Sequence, residues 1–131
     1  MYLLDTDTLI YSLKGNAGIR KNLRNHLHDT LKVSVITLME LYYGAYKSRS
    51  IAGNLAKVVT LENVLEVLPV GRETVDVFGL LKAGLEKAGT LLDDFDLILA
   101  ASALAHNLTL VTNNLRHFQR VEGLKLTNWT E

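Results

Sequence analysis

The stretch Met1–Ile10, MYLLDTDTLI, decides how the rest of the chain is read. Tyr2, Leu3 and Leu4 form a short apolar run without polar alternation, the pattern of a central strand covered on both faces, and such strands belong to parallel α/β sheets. The run ends in two carboxylates, Asp5 and Asp7. Ligands of parallel sheets sit beyond the carboxyl ends of the strands, so Asp5, directly abutting the run, is a candidate site residue. A plainer role, capping the short helix expected over Thr8–Leu13, is open to Asp5 or Asp7, with Asp7 or Thr6 favoured for it and Asp5 for the site.

Strand and helix patterns alternate outward from this start, which predicts an α/β fold with a parallel sheet. Gly15 and Asn16 break the first helix, and Ile19, Leu23 and Leu27 repeat every four residues through a second, Ala17–His28. Leu31–Val35 is the next strand. Thr37 with Glu40 three residues on has capping-box spacing for a helix over Leu38–Lys47, with Leu38, Leu41, Tyr42 and Ala45 as its core stripe. Glu40 stands nearly alone among apolar neighbours, so its charge calls for a cation or hydrogen-bond donors. Tyr42, Tyr43 and Tyr46 are expected in the core, with at least one tyrosine exposed at an interface.

A helical pattern covers Ser50–Leu65, a short strand Val67–Leu68 closes at Pro69, and Arg72–Ala88 is amphipathic through Val75, Phe78, Leu81 and Leu85, ending at Gly89. From Phe95 to Ala105 the chain is apolar all round, as in a helix packed centrally on a sheet. Asp93, Asp94 and Asp96 crowd its start. One or two carboxylates there serve the helix dipole, and Asp94 is the expected N-cap. Asp96, in the first turn of an otherwise apolar helix, is the better ligand candidate. Thr109–Thr112 and Leu124–Asn128 complete a sheet of about five strands.

The 131 residues and 48% hydrophobic content suit a single domain, 1–131. Fourteen basic and fourteen acidic residues cancel, so any steering of a charged partner is local. The absence of cysteine removes disulfides, thiolate nucleophiles and Cys-based zinc sites. No export signal or membrane-length apolar segment is visible, so a soluble, cytoplasmic protein is expected. His26 and His28 lie two apart and His106 and His117 read as isolated, without zinc spacing. No GxSxG or P-loop pattern occurs.

Asp5, Glu40 and Asp96 can converge at the carboxyl edge of such a sheet. A hard cation, Mg²⁺ or Mn²⁺, fits an all-oxygen ligand set, and metal-assisted phosphodiester hydrolysis is the chemistry that combination suggests. A rival is a phosphatase of the haloacid-dehalogenase type with Asp5 as nucleophile, but its DxDxT pattern is incomplete because Leu9 stands where the threonine belongs. A catalytically silent RNA-binding or protein-binding module is the reading from another class.

The segments LDTDTLI, VSVITLMELYYGA, GTLLDDFDLILAASALA and LVTNNLRHF followed by LKLTNW, in this order, resemble PIN-domain ribonucleases of the VapC toxin type nearly end to end. The resemblance implies a three-layer α/β/α sandwich with a mainly parallel sheet. It also implies Mg²⁺- or Mn²⁺-dependent RNA cleavage, with Asp5, Glu40 and Asp96 as catalytic and metal-binding residues. Such toxins form homodimers and are inhibited by a cognate antitoxin. Two departures stand out: Asp7 replaces the asparagine of LDTN, and Asn114 stands where many relatives carry a fourth aspartate. Asp7, Asp94, Thr112 and Asn114 are therefore accessory candidates, and Lys47, Arg49, Arg116 and Arg120 candidate contacts to the RNA backbone.

Overall fold

The computed structural model describes residues 1–130. Five strands, β1 (Tyr2–Leu4), β2 (Leu31–Ser34), β3 (Glu66–Leu68), β4 (Thr109–Val111) and β5 (Leu126–Thr127), form one sheet in the order β3-β2-β1-β4-β5. Every pairing is parallel. Successive strand residues point to opposite faces, and both faces are covered. Leu3 and Leu110 enter a core beneath α5 (Arg72–Ala88), α6 (Asp94–Ala105) and α7 (Leu115–Phe118). Leu4 and Val111 enter a second core, beneath α1 (Thr6–Leu13), α2 (Ala17–Asn25), α3 (Val35–Tyr46) and α4 (Ile51–Val64). This is the expected three-layer α/β/α sandwich, and the two cores explain why β1 has no polar alternation.

Connections from β1 lead to β2 on one side, whereas β4 is reached from β3 by a crossover to the other. The topological switch point therefore lies between the carboxyl ends of β1 and β4, where such sheets open a crevice for ligands. Asp5 and Thr112 follow those two ends directly. The Asp5 N–H donates to the Val111 carbonyl at 3.0 Å, which ties the two exits together.

Three helix starts differ from the sequence expectation, in each case because the cap lies upstream of the residue chosen. Asp5, not Asp7 or Thr6, caps α1, accepting from the Thr8 N–H at 2.8 Å; Asp7 sits exposed in the first turn. Ser34 caps α3, accepting from the Ile36 N–H at 3.1 Å. Thr37 is thereby carried inside the helix and fully buried, and the capping box with Glu40 does not form. Asp93, not Asp94, caps α6. In all three the tight turn begins as soon as the strand or loop delivers a side-chain acceptor, one to three residues before the apolar periodicity becomes visible.

Several core assignments also shift. In α5 Thr74 is buried while Val75 is 51% exposed, so the inward stripe is displaced by one residue although Phe78, Leu81 and Leu85 keep their places. Tyr43 and Tyr46 are exposed, as is Met39 one turn before Tyr43, whereas Tyr42 is half-buried and donates to Glu62 at 2.6 Å. Helix α7 was not anticipated. Four residues are too few for a periodic signal, and Phe118 anchors it in the core.

The chain's end closes the sandwich on α2. Trp129 stacks on His26 with ring centroids 4.8 Å apart and meets Tyr2 at 5.1 Å. Gly18 permits this approach, since a Cβ there would lie 2.6 Å from the Thr130 carbonyl oxygen and 2.9 Å from that of Trp129. Gly18→Ala is expected to destabilise the protein by about 1–3 kcal/mol despite alanine's better helix propensity. Chemical denaturation measures it, and an unchanged or higher midpoint would contradict this packing.

Candidate functional site

Asp5 is 6% exposed at the switch point. Its carboxylate receives the Thr8 N–H at 2.8 Å, and the nearby Thr112 hydroxyl favours its charged form. Burial nevertheless raises its pKa above the ordinary value, outweighing both, and the neighbouring Asp7 adds in the same direction. Thr112 is itself fixed, being fully buried with its Oγ1 accepting from the Asn114 N–H at 3.0 Å. Thr112 thus stands at a set place beside Asp5. Asn114 contributes through its backbone, while its side chain is exposed at the start of α7.

Glu40 lies on α3 and reaches toward the same strand exit. Its Oε1 accepts from the Thr6 hydroxyl, the residue after Asp5, at 2.6 Å, and that hydroxyl also lies 3.4 Å from Thr37 Oγ1. The donor that Glu40 calls for is therefore a threonine next to the first aspartate. Glu40 also borders a groove of about 640 Å³ between α1, α3 and α4, lined by Lys14, Lys47 and Lys57 together with Ile10, Leu41 and Val58.

On the other side of the β4 exit stands Asp96. Its Oδ2 lies 2.9 Å from Nε2 of His117, on α7. Asp93, the cap of α6, accepts from the Asp96 N–H at 3.0 Å and places its charge against the Asp96 carboxylate. Partial burial first, and then Asp93, push the Asp96 carboxyl up to about 6, although His117 pulls it down. Among the described residues, Asp93, Asp96 and His117 are the one trio of histidine and carboxylate ligand atoms lying within 4.8 Å of one another, and they form a candidate acidic metal site.

The structure thus gathers the predicted carboxylates into two groups. Asp5 and Glu40 are linked through Thr6, and Asp96 stands with Asp93 and His117. The two groups share the segment leaving β4, which supplies Thr112 to Asp5 and His117 to Asp96. Asp94 turns to Lys82 on α5, 3.0 Å away. Of the basic candidates, Lys47 lies over the Tyr43 ring, Arg49 and Arg116 are exposed, and Arg120 donates to the Leu91 carbonyl at 3.2 Å. The phosphatase-like reading loses its second carboxylate, because Asp7 faces solvent on α1.

His117 and Asp93 were missed as site residues. In sequence His117 has no neighbour at metal-ligand spacing, and its signal is its position, just past the end of β4 at the ligand-binding edge. The buried and crowded carboxylates suit a divalent cation, which would offset the desolvation and the mutual repulsion that raise their pKa values.

Comparison with known proteins places this arrangement. The PIN domain model matches residues 2–124. The ribonuclease VapC2 of Rickettsia felis is 34% identical over 98% of both chains. The tRNA(fMet)-specific endonuclease VapC of Salmonella typhimurium is 36% identical over 98% of this chain and 97% of its own. Crystal structures of Rickettsia felis VapBC2 bound to a promoter DNA fragment and of DNA-bound Salmonella typhimurium VapBC each superpose with a TM-score of 0.93, over 98% of this chain and 98% and 97% of theirs. No described helix is long and apolar enough to cross a membrane. The strand order, the carboxylates at the switch point and these likenesses agree: the chain belongs to the PIN-domain family, among the VapC ribonucleases.

Proposed function

We propose that this protein is a metal-dependent endoribonuclease, the toxin of a toxin–antitoxin pair, in which residues 1–131 act as one PIN domain. The observation that carries this reading is the buried Asp5 at the β1–β4 switch point, fixed by the Thr8 N–H beside Thr112, with Glu40 tied to the adjacent Thr6. Asp5, Glu40 and Asp96 would hold a Mg²⁺ or Mn²⁺ ion, which would supply Lewis acidity toward water and charge neutralisation at the phosphodiester.

The chain's own residues supply orientation. The Thr8 N–H fixes the Asp5 carboxylate beside Thr112, and Thr6 fixes Glu40. Lys14, Lys47 and Lys57 give the groove beside Glu40 a positive lining that suits an RNA backbone, with Arg49 and Arg116 as further exposed contacts. Asp7, in the first turn of α1, tunes the charge around Asp5, whereas Asp94, committed to Lys82, stands back.

A cognate antitoxin of the kind present in the VapBC complexes is the expected protein partner. An arginine from it would offset the carboxylate charge in place of the cation. Met39, Tyr43 and Tyr46 form an exposed apolar strip on α3 suited to a partner surface, including a second copy of the chain.

Purified protein incubated with initiator tRNA and with total RNA in Mg²⁺ or Mn²⁺ is expected to cleave, and Asp5→Asn to lower the rate at least about a hundredfold. Equal cleavage by both proteins would overturn the assignment. Independently of activity, Mn²⁺ at a hundredfold excess over its Kd is expected to add about 2.7 kcal/mol of stability, read as a rise of several degrees in Tm. Asp5→Asn or Asp96→Asn should abolish that rise.

Metal-free protein offers a third measurement. The folded Asp96 carboxyl retains its proton up to about pH 6, against 3.8 in the absence of perturbation. Between these values the folded state binds more protons than the unfolded one, so this group's contribution to stability falls as pH rises through that window and levels off above it. Asp5 acts with the same sign. In a chelator-containing buffer, wild type should therefore lose stability relative to Asp96→Asn between about pH 4 and 7, the window set by the raised carboxyl. Parallel pH profiles would show that Asp96 ionises normally.

A further inference from the structure

We infer that His117 is a nitrogen ligand of the Asp96 site and biases it toward transition ions, Co²⁺ most and Mn²⁺ less, over Mg²⁺. The inference rests on the proposed metal site and adds to it a donor of a different chemical kind. His117 Nε2 lies 2.9 Å from Asp96 Oδ2, and one ligand atom from each of Asp93, Asp96 and His117 falls within 4.8 Å of the others. Neighbouring ligand atoms on an octahedral ion with bonds of 2.0–2.1 Å stand about 3 Å apart, and opposite ones about 4 Å. The His117–Asp96 separation therefore matches neighbouring ligands, and Asp93 lies close enough to join them by a small adjustment.

Two further features support a ligand role. The His117 ring is half-buried and held edge-on by Phe118, with centroids 5.6 Å apart and planes at 87°, while Phe118 is fixed in the core. The ring is thus presented in a set orientation, as metal-binding imidazoles are. Asp93 uses Oδ1 to cap α6, which leaves its second oxygen for an ion. A hydrogen bond from His117 serves the metal-free state and gives way to coordination through the same nitrogen.

Imidazole discriminates among ions where carboxylate alone does so weakly. It suits the later divalent metals, whereas Mg²⁺ favours oxygen and water. His117 therefore sets which ion the site prefers, while the carboxylates supply most of the charge that holds it.

The test compares affinities for Mg²⁺, Mn²⁺ and Co²⁺ by thermal shift and calorimetry in wild type, His117→Gln, His117→Glu and Asp96→Asn, with metal-free Tm as the folding control. Wild type should bind Co²⁺ and Mn²⁺ more tightly than Mg²⁺. His117→Gln should weaken Co²⁺ binding on the order of tenfold and Mn²⁺ binding less, while changing Mg²⁺ affinity least, and His117→Glu should retain Mg²⁺ binding without the preference. Pulsed electron paramagnetic resonance of bound Mn²⁺ should show coupling to a ring nitrogen that disappears in His117→Gln. Unchanged ion ratios and no nitrogen coupling, with Asp96→Asn still abolishing binding, would overturn the role of His117 and leave the metal site intact. Failure of wild type to bind any of the three ions would overturn both.

Discussion

Burying both faces of β1 is the constraint on which the rest of the structure depends. Leu3 and Leu4 are each fully buried in different cores, so the strand can only lie mid-sheet with helices above and below. A strand so enclosed leaves its polar continuation one outlet, the carboxyl edge. Asp5 emerges there already shielded from water, which makes its charge costly and its position precise in the same stroke. A less buried β1 would give a more comfortable carboxylate and a worse ligand.

Neutral donors, not cationic side chains, stabilise the Asp5 edge. Thr112 and the Thr8 N–H serve Asp5, and Thr6 serves Glu40. Among the described residues no lysine pairs with these carboxylates: Lys82 goes to Asp94, and Lys47 lies over Tyr43 at the rim of the groove beside Glu40. Hydroxyl and amide donors orient a carboxylate without neutralising it, so the anionic character needed to bind a cation survives folding. On the α6 side the repulsion between Asp93 and Asp96 is relieved in part by His117, whose ring is anchored through Phe118 to the same core that fixes Leu3. Both halves of the site are thus positioned by the interior, through elements that meet at the exit of β4.

The helix starts show where a one-dimensional reading loses resolution. Caps at Asp5, Ser34 and Asp93 were placed late because periodicity begins only when side chains first reach the core, whereas the backbone turns as soon as an acceptor is available. For Asp5 this dissolves the choice between cap and site: Oδ1 caps α1 while the buried carboxylate retains its place at the switch point. For Glu40 it moves the partner from Thr37 on its own helix to Thr6 on another. For the tyrosines of α3, an apolar sequence all round concealed that only one face is covered, leaving Tyr43 and Tyr46 in solvent.

By itself the sequence determined the layered α/β fold, the parallel sheet and the identity of Asp5, Glu40 and Asp96 as the carboxylates worth following. Those features depend on hydrophobic period and on the position of a charge relative to an apolar run, and both are properties of neighbouring residues. Tertiary structure alone decided that Thr6 holds Glu40, that Thr112 stands beside Asp5, and that His117 meets Asp96 across 21 residues of chain. Such pairings depend on which strands lie side by side. Strand order is set by how whole helical layers bury their apolar faces, a condition that no local pattern encodes.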